Sequence, residues 1–456
     1  MGSDTRFVPG VEADLVGEPV PARMRAWLRG LPDDLCAILN KLCTNGHGAW
    51  LVGGAVRDAW VGVSDGEIDI DVATTHPPEE VLSLFGTDAI DTGSAFGTIT
   101  VKGEGNHYEI TTLRTESLYR DGRRPEHVEW GDSLKEDLSR RDFTFNSMAV
   151  DAGRALLYDP YDGIQDLHDR TVRAVGDPAV RCEEDALRIL RAYRFLNRET
   201  EALWSMEDEL QRAVISRKDR LSMVAVERRW MELKKIMDGN HAGAILSQMK
   251  RDGVLAVVWP SSTTVRHELL EALDEPLLRG LQAHHRVAVL MIEQPTSALL
   301  KHLSEMKSSK EFQRGSALFH ERLPHLPATT IGELRVFDLV LGPDAPLHLH
   351  VRTVLEPLGP FFHGEVNQPP ARSNETFEAW KAMPPRQSPG DCLVDGHWIM
   401  QRTGVPQGIR LGRLKQWLHR LQIEHDFTLV SEMEALLSRL PFEHGDHEGW
   451  PSVAFP

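Results

Sequence analysis

LVGGAVRDAWVGVSDGEIDIDVAT, residues 51–74, decides how the rest of the chain folds. Gly53 and Gly54 follow the apolar run Trp50-Leu51-Val52 and precede the helix-compatible AVRDAWVG, so the local order is strand, glycine turn, helix, strand. In the second strand Asp69, Ile70, Asp71 and Val72 alternate acid with apolar. Period two sends both carboxylates to one face and Ile70 and Val72 to the core. Like charges side by side repel unless a cation lies between them, and Mg²⁺ is usually held by one or two carboxylates together with substrate phosphates. The glycines add the complement: without a Cβ, backbone N–H groups at a helix start approach a triphosphate closely. Gly-Gly alone is ordinarily a turn, and an acid-x-acid pair alone a solvated edge; their order and spacing together carry the signal.

On either side of this stretch, residues 22–45 read as two short helices broken at Pro32-Asp33-Asp34, and Pro77 to Phe85 as a helix. The β-branched, glycine-bounded runs 88–92, 97–103 and 107–114 predict three strands, hence a small mixed sheet with flanking helices. Glu109, between Tyr108 and Ile110, is placed by the same pattern as a third carboxylate beside Asp69 and Asp71. Residues 1–20, rich in Gly, Pro and acids, read as a mobile extension. TESLYRDGRRPEHVEWG, residues 115–131, is polar and aperiodic, a mobile loop long enough to be functional.

The second informative stretch is VRCEEDALRILRAYRFLNR, residues 180–198. On one 3.6-residue helix Ala186, Ile189, Leu190, Tyr193 and Leu196 form an apolar stripe, with Glu184, Asp185, Arg188 and Arg191 gathered opposite. A plain amphipathic helix with surface ion pairs satisfies this pattern. The hydrogen-bond inventory supplies a sharper reading. Arg188 offers only donors and ionised Asp185 only acceptors, a match to the Watson–Crick edge of cytosine or adenine. Uracil and guanine would oppose donor to donor, at a cost of roughly 1–3 kcal/mol per unsatisfied group. Glu184, one turn before Arg188, is placed to orient its guanidinium.

At 456 residues the chain exceeds one ordinary core, and roughly two to four domains are expected. Boundaries fall at an extension 1–25, a head 26–170, a neck 171–240, a helical body 241–370 and a helical tail 371–456. No apolar run approaches membrane-spanning length, and the first residues lack a signal-peptide pattern, so a cytoplasmic protein is expected. Cys36, Cys43, Cys182 and Cys392 have no paired spacing and suggest neither a zinc site nor a disulfide framework; His348 and His350 are too isolated for metal ligands. A net charge of −17 leaves either no nucleic acid or a localised basic surface on an acidic body. Clustering favours the second: Arg228, Arg229 and Lys234 fall in one basic run, Arg413 and Lys415 in another. Each run is either a solvated helix face or a phosphate-binding one. RLSMVAVERRWMELKKIM, residues 220–237, reads as a single helix packing through Leu221, Val224, Trp230, Leu233 and Ile236.

The GG…RD…DxD block at Gly53, Gly54, Arg57, Asp58, Asp69 and Asp71, and EDxxR at Glu184, Asp185 and Arg188 preceded by Gly176-Asp177-Pro178, resemble the class II tRNA nucleotidyltransferase and bacterial poly(A) polymerase family. The resemblance is strong over residues 48–240, fair over 390–430 and weak between. It implies a polymerase-β-like α/β head followed by an all-α neck, body and tail. It further implies template-independent addition of C, C and A to tRNA 3′ ends from CTP and ATP, with tRNA, ATP and CTP as partners, no membrane, and no obligate protein partner. Asp69 and Asp71 would hold Mg²⁺ with Glu109 as the family's third acid. Gly53, Gly54 and Arg57 would hold the triphosphate, and Arg141 and Asp142 the phosphates and ribose. Asp185, Arg188 and Arg191 would line the nucleotide, and the loop at 115–131 would switch CTP for ATP. Cys182 departs from the larger apolar residue usual after Arg181, a packing difference. An A-adding or CC-adding enzyme, or a poly(A) polymerase, remains open. So does a non-catalytic RNA-binding protein on the same fold, although Asp69, Asp71, Asp142, Asp185 and Arg188 together argue against it.

Overall fold

A computed structural model describes residues 6–62, 70–114, 129–198, 202–359, 372–443 and 446–455. Two compact units result: residues 1–236 with 249–260, and residues 237–248 with 261–456. No helix among the described residues is long and apolar enough to cross a membrane.

The first unit is built on an eight-stranded sheet, in the order β1-β8-β7-β2-β3-β6-β5-β4. Its strands are β1 (Glu18–Pro19), β2 (Ala49–Val52), β3 (Asp71–Thr74), β4 (Ala89–Gly93), β5 (Thr98–Lys102), β6 (His107–Thr112), β7 (Ala149–Asp151) and β8 (Leu156–Tyr158). β3 and β6 run parallel, while the other neighbours are antiparallel, so the sheet is mixed. Alternation does the local work in β5 and β6. Ile99, Val101, Tyr108 and Ile110 are buried on one face, leaving Glu109 exposed on the other. The helices of this unit are α1 (Ala22–Arg29), α2 (Asp33–Leu42), α3 (Gly54–Val61), α4 (Pro78–Phe85), α5 (Leu134–Ser139), α6 (Gly163–Asp169), α7 (Pro178–Glu184), α8 (Leu187–Phe195) and α9 (Asp208–Arg217). α10 (Val226–Met237) completes the run. Trp50, Val52, Leu113, Leu134, Leu138 and Tyr158 form a core cluster beneath the sheet.

Three expectations are corrected. Residues 6–20 are built into the fold: β1 pairs with β8, Phe7 and Val20 are buried, and Asn40 accepts from Val8 N and donates to Arg6 O. An acidic, proline-rich composition does not preclude order when backbone groups and single apolar side chains find partners. The stretch 180–198 is two helices, because Asp185 adopts an extended conformation (φ −140°, ψ 104°) between them. Its carboxylate accepts from Leu187 N and so caps α8, the competition with helix that short polar acids offer. Residues 220–237 likewise begin as a 3₁₀ segment, Lys218–Met223, and become α-helical only from Val226.

Among its described residues the second unit is helical in every major element. One core surrounds Ile399, Leu414, Leu418 and Met433, and another Phe337, Leu341, Ala345 and Leu349. His348 is fully buried there; Nε2 donates to His325 O, and burial pushes its pKa down to about 3, so the ring is neutral.

Candidate active site

A cavity of about 630 Å³ opens at the ends of β2 and β3, between the sheet and α8. Gly53, Gly54, Arg57, Asp71, Arg141, Asp142, Asp185, Arg188 and Arg191 all line it, so residues spread over more than a hundred positions meet. Seven Lys or Arg side chains face three Asp side chains in this wall, which localises positive potential within a chain of net charge −17.

Gly53 ends β2 with φ +73° and ψ −136°, a conformation that L side chains rarely adopt. A Cβ there would also stand 3.1 Å from Arg141 Nη1 and 3.4 Å from Asp71 Oδ2. The turn therefore needs glycine twice over. It delivers the N-terminus of α3, with its unpaired N–H groups, to the cavity wall.

Asp71 is the register partner of Val52 on β2 and of Glu109 on β6. Both acids leave the same face of the sheet, since Val72 and Ile110, their apolar neighbours, are buried on the other. They offer only oxygen donors, which suits a hard divalent cation. Asp69 and the 115–128 part of the expected loop lie outside the described residues.

A hydrogen-bonded chain crosses the cavity floor. Arg57 donates bidentately to Asp58, at 2.9 and 2.8 Å, and through Nη1 to Asn146 Oδ1 at 2.6 Å. Asn146 Nδ2 donates to Asp142 Oδ1 at 3.0 Å, and Asp142 Oδ2 accepts from Arg191 Nε at 2.7 Å. Burial by itself would raise the Asp142 pKa, but the Arg191 charge and the bonds from Asn146 and Arg191 outweigh it and hold the carboxyl below the usual range. Arg198 also donates to Asp58, at 2.8 Å.

At the other end Arg188 is held on three sides. Nη1 donates to Glu184 Oε2 at 2.7 Å and to Arg181 O at 3.1 Å, and Nη2 donates to Arg140 O at 2.6 Å. Glu184 does orient the guanidinium, by a half-buried charge-assisted bond. Of the five N–H donors of an arginine, these bonds leave the Nε–H and one on Nη2 without a partner among the described residues. Asp185 Oδ2 accepts from Arg228 Nη2 at 3.1 Å. Cys182 is the buried residue of α7, its thiol raised to about 12 by desolvation, which agrees with a packing role.

Sequence reasoning missed Asn146 as a bridge, and Arg194 and Phe195 as wall residues. Arg188, Arg191 and Arg194 recur every third residue, which puts them on one helix face and was the available signal. The basic runs divide. Arg228 and Lys235 line the cavity, and Arg229 Nη1 donates to Val257 O at 3.3 Å; Lys234 and Lys415 are exposed and Arg413 half-exposed. In the tail, Arg402 pairs with Glu434, and Arg420 with Glu333 and Glu424.

These features define a nucleotidyltransferase: a head whose carboxylates on the central strands β3 and β6 and whose arginine-lined cavity suit a nucleoside triphosphate. Residues 49–173 match the poly A polymerase head domain, and residues 205–264 the probable RNA and SrmB-binding site of polymerase A. The chain is 38% identical over 377 residues to the CCA-adding enzyme of Geobacillus thermodenitrificans, covering 81% of this chain and 87% of that one. The match to the CCA-adding enzyme of Geobacillus sp. strain WCH70 is 43% identical over 217 residues, but spans 48% of this chain and 52% of the relative. A crystal structure of the Bacillus stearothermophilus CCA-adding enzyme in complex with CTP superposes with a TM-score of 0.67 at 26% identity, over 92% of this chain and 98% of that one. The Thermotoga maritima CCA-adding enzyme complexed with tRNA, at 18% identity and a TM-score of 0.58, shares the fold. The chain belongs to the CCA-adding enzyme family, nucleotidyltransferases that use divalent metals.

Proposed function

We propose that this protein completes tRNA 3′ ends, adding C, C and A from CTP and ATP and releasing pyrophosphate at each step, in the cytoplasm. The observation that carries the reading is the single cavity that brings Gly53, Gly54 and Asp71 together with Asp185 and Arg188, a triphosphate end and a base end without a nucleic-acid template. The 3′-oxygen of the tRNA attacks the α-phosphorus, and the bond from that phosphorus to the oxygen bridging to the β-phosphate breaks. The α3 N-terminus and Arg141 neutralise the phosphates. Asp142, held by Asn146 and Arg191, accepts from the ribose 2′-OH. The two remaining N–H donors of Arg188 face the acceptors of cytosine or adenine, and Asp185 accepts from the exocyclic amino group. Asp69 and Asp71 are the carboxylates that would hold Mg²⁺, two ions in our reading, with Glu109 as a third acid beside them; the ions would acidify the 3′-OH and neutralise the triphosphate. Lys234, Arg413 and Lys415 are assigned to tRNA phosphates.

The test is incubation with tRNAs ending before CCA, after C and after CC, with products read at nucleotide resolution. Addition of CCA, CA and A respectively supports the reading. Extension of only the third substrate identifies an A-adding enzyme, a stop after CC a CC-adding one, and a long A tract a poly(A) polymerase.

A further inference from the structure

Outside the cavity, one group of side chains has donor chemistry that no part of the proposed reaction uses. His47 precedes β2, His76 follows β3, and Glu80 lies in the first turn of α4. Because Ala49 pairs with Thr74 and Val52 with Asp71, the histidines flank the end of the β2–β3 ladder opposite the cavity, more than about 10 Å away at the usual rise per residue.

His76 Nε2 lies 3.1 Å from Leu42 O, and a carbonyl only accepts, so that nitrogen carries hydrogen. The other nitrogen, Nδ1, is 3.0 Å from Glu80 Oε2. With hydrogen on Nε2, the Nδ1 lone pair and this carboxylate oxygen can both serve one bound cation. The same carboxylate oxygen is 3.5 Å from His47 Nε2, while His47 Nδ1 is 3.1 Å from Thr75 Oγ1. Each ring thus has one nitrogen tied to a neighbouring oxygen and the other turned to Glu80, the orientation that metal-ligating histidines show. Bonds of about 2.0–2.1 Å in a tetrahedron separate donor atoms by about 3.3 Å. The observed 3.0 and 3.5 Å bracket that value, and all three donor atoms lie within 4.8 Å of one another.

We propose that His47 Nε2, His76 Nδ1 and Glu80 form a binding site for a borderline transition-metal ion of the Zn²⁺ class, tying α4 to the far end of β2 and β3. Two nitrogens and one oxygen select against Mg²⁺, and the exposed side of Glu80 leaves a fourth position for water. The rings are stacked, 3.6 Å between centroids and 17° from parallel, so a shared ion requires the more exposed His47 ring to tilt toward Glu80.

The full chain, stripped with a chelator, is titrated with Co²⁺ as a visible probe in excess Mg²⁺, which occupies oxygen-only sites. Expected is one equivalent bound with a four-coordinate d–d spectrum and no thiolate charge-transfer band, displaced by Zn²⁺. Affinity should fall at least tenfold in His47→Gln, His76→Gln and Glu80→Gln, and stay within twofold in Asp71→Asn. His76 is buried; should its variant not fold, His47→Gln and Glu80→Gln decide. The proposal is overturned by the absence of a saturable equivalent, by a thiolate band, by unchanged affinity in His47→Gln and Glu80→Gln, or by loss in Asp71→Asn alone. None of these outcomes depends on nucleotide addition.

Discussion

Replacing Arg188 with alanine should relax the choice of nucleotide, and the structure sets how far. Three donors of Arg188 are spent on Glu184, Arg181 O and Arg140 O, leaving two for a base edge. Cytosine and adenine present acceptors to those donors. Uracil and guanine present an N–H, and each buried donor left facing another costs about 1–3 kcal/mol, or roughly 5- to 150-fold in relative rate. Arg188→Ala removes that penalty, so the ratio of CTP to UTP incorporation should fall at least about fivefold, alongside a lower rate for CTP itself. Glu184→Gln provides the control for stability. It keeps Arg188 but weakens its 2.7 Å charge-assisted bond, worth about 1.5–3 kcal/mol, so discrimination should fall by less while the Arg188 contacts to backbone persist. The assay is single-turnover incorporation of each of the four nucleotides on a tRNA lacking CCA, with Tm measured in parallel. If Arg188→Ala loses Tm but still rejects UTP and GTP at the wild-type ratio, the guanidinium is a structural tie and another group reads the base.

Asp71→Asn should reduce addition of both C and A by more than a thousandfold with Tm unchanged or raised, because it removes a metal ligand and relieves repulsion with Glu109; retention within tenfold in a single-turnover assay refutes the assignment. Gly53→Ala should cost about 1–3 kcal/mol for the positive φ and push Arg141 aside, read as a lower Tm together with weaker binding of nucleoside triphosphate. The lowered pKa of Asp142 means that its contribution to stability is present above the ordinary carboxylate pKa and is lost as pH falls through the folded value, below about pH 4. Denaturant titrations at pH 7 and pH 3 should accordingly show a smaller acid-induced loss in Asp142→Asn than in wild type. Reversal of Arg413 and Lys415 to Glu should weaken tRNA binding and flatten its salt dependence, measured by filter binding across ionic strengths, and unchanged affinity would move the phosphate contacts elsewhere.

What near neighbours along the chain enforce was legible in the residues. Alternation in 70–72 and 107–112, the Gly53-Gly54 turn and the Pro32 break each depend on a few adjacent residues, and the strands and helices appear at those places. The chemical content of the cavity was legible for the same reason, since a motif lists its donors and acceptors whatever their final positions. Which of those groups are already satisfied depends on packing between distant segments. Arg188 meets Arg140 O, Arg228 meets Asp185, and Arg57 meets Asn146, across 48, 43 and 89 residues of sequence. No periodicity encodes such pairs; they follow from how the sheet and α8 pack. The same holds for Asp185. A continuous helix and one broken at that residue share one apolar stripe, and the break is selected only because the carboxylate finds Leu187 N and Arg228 where a helical residue would have turned it away.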